Sequence, residues 1–397
     1  MTIKTDKLIL FSLYVTLLGN ALVYLNISIP TAITYLFMLL PIIVGMSVAL
    51  YIRIIRKDNL RFEYTFELKI GIFLFLSFLI ISFMKIQQTG AFTWGTLGES
   101  IRILVPFIYT FIIINFLSND DIQSFMRIST LVAAMCFLAT IDYSNINISN
   151  ILSISFANSY SPFENFEVAL LSEALAIYFL YNNKNNKFWC GLSVLLVFLT
   201  FKRILIISVI VLSVCVILKK KNQKVNNIVL ILSSIFWIAA VKFYMYMLLP
   251  ENYFSDMDKF HIDIVNFSMS RVYRVWYLIQ NGYQSFGLNS TAQTLSNAFR
   301  MGITGNTLGV TLEMDLIAIL MELGIVAIII FILSYYAITK KNLYSYLVIS
   351  MTFLQLLMAD GLTRYLEFSI ILTTIGLISY RNIPQGTLKQ DSYEKIS

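Results

Sequence analysis

The chain has 397 residues, of which 58% are hydrophobic and only 13% charged, with a formal net charge of +7. That balance excludes a water-soluble globular enzyme and reads as a polytopic membrane protein. The excess Lys and Arg falls mainly in short turns between apolar runs, where it sets orientation, so the basic balance calls for no nucleic acid.

Twelve apolar segments follow in chain order: Leu8–Leu25, Thr31–Ile54, Phe66–Met84, Ile101–Leu117, Met126–Ile141, Glu167–Tyr181, Phe188–Thr200, Ile204–Leu218, Asn227–Leu248, Leu312–Thr339, Leu343–Met358 and Tyr365–Tyr380. The expected fold class is an all-α polytopic membrane protein with about 12 transmembrane segments. The start, Met1–Lys7, is polar and basic, and no signal-peptide cleavage site follows the first apolar run. The three cysteines, Cys136, Cys190 and Cys215, lie in apolar segments without metal-like spacing and read as buried small hydrophobes.

The loops test this count. With Lys4 and Lys7 inside, the alternate loops 53–61, 118–127, 182–187, 219–224 and 339–342 and the tail after Arg381 all carry Lys or Arg. The opposite set includes Tyr143–Glu164, which has neither Lys nor Arg, and Pro250–Val310, about sixty residues long and rich in Tyr, Phe, Trp and Met. The alternation holds only if Phe188–Leu218 enters the membrane and returns. Each leg of that hairpin has about fifteen residues, or ~22 Å of helix, short of the ~30 Å hydrocarbon core. Its tip, with Thr200, Lys202 and Arg203, therefore sits below the outer surface. Charges at that depth are a functional-site hypothesis by default; the plain reading is that Arg203 snorkels to the interface.

The expected organisation is 1–249 for segments one to nine, including the hairpin tip at 200–203. A large outer loop at 250–310 follows, then segments ten to twelve at 311–381 and a cytoplasmic tail at 382–397. Within the loop, Ser270–Asn281 reads as an amphipathic helix with Val272, Val275, Trp276 and Ile279 on its apolar face and Asn281–Gly282 as its stop.

Arg271 and Arg274, three apart on that helix, share a face and can clamp a phosphate with bidentate hydrogen bonds; the plain reading is a solvated pair. Arg203, helped by Lys202, can bind a pyrophosphate. Glu313 and Asp315 stand at the outer mouth of the span opening Thr311-Leu312-Glu313-Met314-Asp315. A carboxylate there can accept a proton from a sugar hydroxyl, hydrogen-bond it, or simply favour the helix dipole. Glu322 lies two turns deeper, as a further polar group or an internal lock. His261, the only histidine, reads as a solvated loop residue or a base. Asp360, Arg364 and Glu367 read as an ion-pair network at the rim, and Glu164 and Glu167 as sugar contacts or a helix start. No Gly-rich phosphate loop, paired-His motif or Cys-pair pattern occurs, so neither a metal nor a nucleotide cofactor is expected. Chemistry at the outer face, where nucleotide donors are absent, points to a donor activated by lipid pyrophosphate.

The chain resembles the Wzy-type O-antigen and capsular polysaccharide repeat-unit polymerases of the O-antigen polymerase and ligase superfamily. The carriers are Leu199-Thr200-Phe201-Lys202-Arg203-Ile204-Leu205 at the membrane break, then Ser270-Arg271-Val272-Tyr273-Arg274-Val275-Trp276, Gly282 and Phe286-Gly287 in the outer loop. Glu313-Met314-Asp315-Leu316, leading to Met321-Glu322-Leu323-Gly324-Ile325, completes the set. The resemblance implies a GT-C-like membrane glycosyltransferase of the cell inner membrane, multi-pass, with its active site facing the periplasm. The donor would be an oligosaccharide chain on undecaprenyl pyrophosphate and the acceptor one repeat unit on a second such lipid, with a chain-length regulator as a further partner beside membrane lipid. Arg203, Lys202, Arg271 and Arg274 would bind pyrophosphate, and Asp315 or Glu313 would act on the acceptor hydroxyl. The ligases typically carry a histidine late in the loop, which this chain lacks. An O-antigen ligase and a lipid-linked oligosaccharide flippase remain the alternative readings.

Overall fold

The computed structural model describes residues 5–54, 62–145, 163–182, 186–253, 259, 261, 263–301 and 310–381. The expected tail at 382–397 and most of the loops at 53–61 and 143–164 lie outside the described residues. Among the described residues the chain is helical throughout, with no strand beyond an isolated bridge between Lys224 and Asn342.

The first five helices are long: α1 Thr5–Tyr24, α2 Thr31–Ile54, α3 Thr65–Thr89, α4 Trp94–Phe116 and α5 Asn119–Thr140. Four shorter or comparable helices follow: α6 Phe166–Tyr181, α7 Lys187–Leu199, α8 Arg203–Ile217 and α9 Asn227–Met247. The outer segment holds α10 Ile264–Phe267, α11 Val272–Gln280 and α12 Ser290–Arg300, and the chain ends with α13 Asp315–Leu323, α14 Ile325–Ile338, α15 Leu343–Met358 and α16 Tyr365–Arg381. Helices α1 to α5 and α9 are long and apolar enough to cross a membrane, and α7, α8, α14, α15 and α16 are shorter apolar helices. Many exposed positions of the long helices are large and apolar, among them Phe11, Leu36, Ile43, Ile80, Ile231 and Phe236. Large apolar side chains on an outer face fit a lipid solvent, so the protein is membrane-embedded.

Helix α6 is the hub. Every residue from Val168 to Tyr181 is buried, and α5, α7, α8 and α16 pack against it. Apart from Ser172 and Glu173 that stretch is apolar on every side, and such a helix sits inside a bundle. Its start is fixed by Asn165, whose Oδ1 accepts from the Val168 amide at 3.0 Å while its Nδ2 reaches the Tyr24 carbonyl at 3.1 Å.

The polar contacts sort to two ends of the bundle. At one end Lys7 pairs with Asp121 at 2.5 Å, Arg127 reaches Asn186 at 2.8 Å, and Lys221 donates to the Tyr181 carbonyl at 2.6 Å. There too the Val225 amide meets the Lys341 carbonyl at 2.6 Å, and Lys340 pairs with buried Glu67 at 2.7 Å. At the other end lie the C-termini of α1, α5 and α9 and the described helices of the outer segment. The basic residues of these contacts thus share one end, and the turn at Thr200–Lys202 lies at the other, where Lys202 meets Glu164 just before α6.

Two breaks depart from a simple string of spans. The chain between Leu199 and Arg203 turns through Phe201 at φ 54°, a left-handed conformation that a phenylalanine rarely adopts. The segment read as one run at 312–339 is two helices, separated at Gly324 with φ 83° and ψ −178°. That region of backbone space is open essentially to glycine alone, which is why the run divides there. In the outer segment α11 covers the expected amphipathic stretch and stops at Gly282 with φ 63°, whereas α12 is an element the sequence reading did not contain.

Candidate active site

At the end opposite the basic turns the helices enclose a cavity of about 630 Å³. Its charged lining comes from seven places in the chain. Glu99 and Arg102 stand on the first turns of α4, and Glu164 and Glu167 flank the start of α6. Lys202 comes from the break before α8 and Arg271 from the N-terminus of α11. Glu313 and Asp315 open the segment leading into α13, with Glu322 near its end, and the turn between α15 and α16 supplies Asp360 and Arg364.

A second cavity of about 210 Å³ adjoins it and is mainly apolar, with Phe201, Ile204, Leu205, Phe267 and Met358 in its wall. Lys202 and Arg271 line both cavities, together with Glu164, Phe166 and Met269. Arg203 lines the apolar cavity only. Two cations therefore stand on the seam between a charged chamber and a greasy one. Lys202 also lies 5.4 Å from the centre of the Phe166 ring.

Glu313 bridges the two arginines of α11. Its Oε2 lies 3.2 Å from Arg271 Nε and its Oε1 3.0 Å from Arg274 Nη1. Arg274 donates as well to the Thr311 carbonyl at 2.8 Å. The spacing of three does put the arginines on one face, and here an internal carboxylate fills the clamp. Glu313 holds a left-handed φ of 54°, so its backbone is strained at this contact. Arg274 stands behind Glu313 and lines neither cavity as described.

Asp315 uses Oδ2 to accept from the Gly361 and Leu362 amides, both at 2.7 Å. It thereby fixes the turn that carries Asp360 and Arg364 while remaining part of the cavity wall. Glu322, 3% exposed, accepts from the Asn289 amide at 2.7 Å, the Thr291 amide at 3.0 Å and the Thr291 hydroxyl at 2.6 Å. A carboxylate aimed at the first amides of α12 satisfies donors that the helix leaves unpaired and favours its dipole. Glu322 is thus the lock that pins α12 over the cavity.

The other two arginines of the lining are paired, one within α4 and one across the fold. Arg102 meets Glu99 at 2.8 Å and lies over the Tyr35 ring. Arg364 pairs with Glu167 and lies 3.8 Å from Asp360. Glu367 does not join that pair as the sequence suggested; it accepts from the Tyr24 hydroxyl at 2.6 Å. Burial pushes the Asp360 carboxyl above the ordinary carboxylate range, against the pull of Arg364. His261 is exposed and lies outside the described lining of the chamber. Among the described residues no group of three or more His, Cys, Asp or Glu side chains is placed to hold a metal ion.

Sequence reasoning did not find the Glu99–Arg102 pair. Its signal was available, because opposite charges three apart open an otherwise apolar helix, and intramembrane charges are costly without a partner or a purpose. Comparison with protein families finds no family that matches the chain, and comparison with curated proteins finds no match either.

Proposed function

We propose that the protein is a membrane glycosyltransferase that joins lipid-pyrophosphate-linked saccharide units. In this reading it is a repeat-unit polymerase of surface polysaccharide similar to the Wzy-type enzymes, working at the outer face of the inner membrane. One observation carries the reading: Lys202 and Arg271 stand where the apolar cavity meets the charged chamber. A prenyl pyrophosphate saccharide has the same order of parts, namely hydrocarbon, then two phosphates, then sugars. Such a molecule would lie with its chain toward Phe201, Ile204 and Leu205, its pyrophosphate at the cations and its sugars in the chamber. Further support comes from the direction of the helices. If the shorter apolar helices also cross, with α13 and α14 counted as one interrupted crossing, there would be twelve passes, a number that puts the basic residues paired at Lys7 and Lys340 at the end away from the chamber. This fits a GT-C-like bundle whose site faces the periplasm.

The chemistry follows from the groups. The acceptor hydroxyl attacks the anomeric carbon of the donor; the bond from that carbon to the pyrophosphate oxygen breaks, and the electron pair leaves with the lipid pyrophosphate. Fixed cations in a site poor in water stabilise the charge that develops there. Lys202, Arg203 and Arg271 take that role, with Arg274 holding the helix face behind them. The hydroxyl proton passes to a carboxylate at the chamber mouth, and Glu313 and Asp315 are the candidates. Glu313 takes it only after leaving the arginines, which an arriving pyrophosphate would bring about.

The test is deletion of the gene followed by gel analysis of surface glycan. The proposal expects core bearing a single repeat unit. Bare core with polymer retained on lipid would indicate a ligase instead, and bare core without polymer at the outer leaflet would indicate a flippase.

A further inference from the structure

We infer that the polar face of α12 is a second saccharide-binding site, a track for the part of a glycan that extends beyond the chamber. The inference rests on the transferase reading above and adds a subsite to it.

A third cavity, of about 310 Å³, lies along α12. It shares Asn289, Ala292 and Thr311 with the charged chamber, so the two spaces meet at the start of the helix. From there its wall follows one stripe of side chains: Asn289, Gln293, Ser296, Asn297 and Arg300. Intervals of three and four place them on a single helical face. From residue 289 to residue 300 the stripe rises about 16 Å, enough for more than one sugar. The opposite face, with Thr291, Leu295 and Ala298, is buried against the protein.

The chemistry of the stripe fits a saccharide. Its three carboxamides each present donors and an acceptor, and the Ser296 hydroxyl does both as well. Sugar hydroxyls donate and accept in the same way. Among the described residues the side chains of Gln293, Ser296 and Asn297 make no hydrogen bond to the protein. Exposure to water does not account for this composition. The outer face of a surface helix commonly carries charges of both signs, yet α12 has no Lys, Asp or Glu. Ser, Thr and Asn are also among the weaker helix formers. The helix is held from elsewhere, by the Glu322 carboxylate at its first amides. A fixed helix with uncommitted amide side chains is a preorganised surface.

The transferase reading also calls for such a path. Transfer of a whole chain lengthens the glycan at every cycle, while the chamber keeps its volume of about 630 Å³. The glycan must therefore run out of it. Of the two described cavities that share lining with the chamber, one is mainly apolar and suits the lipid, and the one along α12 is polar.

The test uses purified full-length protein in nanodiscs. The probes are fragments of one, two and three repeat units cut from the polymer that disappears when the gene is deleted. Wild-type affinity should rise roughly fivefold or more from one unit to three, the worth of about one net hydrogen bond. In the double variant Gln293→Ala, Asn297→Ala that rise should be lost, while the affinity for one unit is kept. Alanine is the better helix former at both positions, so a merely structural role predicts no loss. Wild-type affinity that does not rise with length, no binding of any fragment, or a rise that survives in the double variant overturns the inference and leaves the transferase reading intact. If no polymer disappears on deletion, the transferase reading fails and this inference falls with it.

Discussion

Arg271 donates from Nε to Oε2 of Glu313 at 3.2 Å, tying the first turn of α11 to the residue that opens the route into α13. With Arg274 on the other carboxylate oxygen at 3.0 Å, the arginine pair is held in an anion-binding geometry before any ligand arrives. The contact preorganises the guanidiniums, and it also competes with the ligand they would bind.

That competition has a testable sign. Glu313→Gln removes the internal anion and leaves the arginines in place. Inorganic pyrophosphate should bind the purified variant roughly tenfold more tightly than the wild type, as expected for loss of a close like-charge competitor. Chain extension should nevertheless fall, because the same carboxylate is a candidate proton acceptor. Isothermal titration with pyrophosphate, beside glycan gels, checks both halves. Weaker pyrophosphate binding by the variant would show that Glu313 supports the anion site and does not compete for it.

Arg203 lines the apolar cavity at the end of the turn that carries Lys202. Arg203→Ala should abolish the long-chain ladder, with protein abundance in the membrane unchanged on immunoblots. Arg203→Lys keeps a charge but loses the planar fork, so it should restore part of the ladder. A full ladder in the alanine variant would remove Arg203 from the mechanism.

Glu322 accepts three hydrogen bonds at the start of α12 and is almost wholly buried. Glu322→Ala strips those donors of their acceptor and should cost about 2–3 kcal/mol, from a lost cap and unsatisfied buried amides. Glu322→Gln retains one acceptor oxygen and should cost less. Thermal unfolding gives the stability change, and hydrogen exchange across 290–300 shows whether the loss is local to α12 as the geometry requires.

Asp360 gives a pH prediction. Burial holds its carboxyl above the ordinary range, so the folded protein keeps this proton more firmly than the unfolded chain does. Between the unfolded value of about 3.9 and the raised native one, the folded state binds more protons, and stability falls as pH rises. Asp360→Asn cannot ionise, so its stability relative to the wild type should improve across that window. Thermal unfolding of both proteins from acid to neutral pH checks this; parallel curves would contradict it.

The helical class was open to reading because apolar runs and basic turns are local signals. The caps are local too but went unread: Ser118 stands before α5, which starts at Asn119 and not near Met126 where the apolar run begins, and Asn165 stands before α6. The amphipathic period at 272–280 was equally local. Partners distant in sequence were not readable. Nothing near Glu322 announces that Asn289 and Thr291, about thirty residues earlier, will present their amides to it. Nor does the pattern around Glu313 reveal that it will fill the clamp of Arg271 and Arg274. Helix α12 escaped because its face is polar and small, with Ser, Thr, Gln and Asn that read equally well as loop.

The break at Gly324 separates a backbone requirement from a packing one. A Cβ built on Gly324 meets nothing within 4 Å, yet its φ of 83° with extended ψ is a conformation that L side chains rarely adopt. Gly324→Ala should therefore destabilise the protein by about 1–3 kcal/mol through backbone strain alone. The alternative response is for α13 and α14 to straighten into one helix, which would pull Glu322 from the start of α12 and Asp315 from the 361–362 amides. Hydrogen exchange separates the outcomes: strain alone lowers the unfolding temperature with α12 still protected, whereas straightening exposes 290–300 as Glu322→Ala does. An unchanged unfolding temperature with unchanged protection would mean that the turn at this position does not need a glycine.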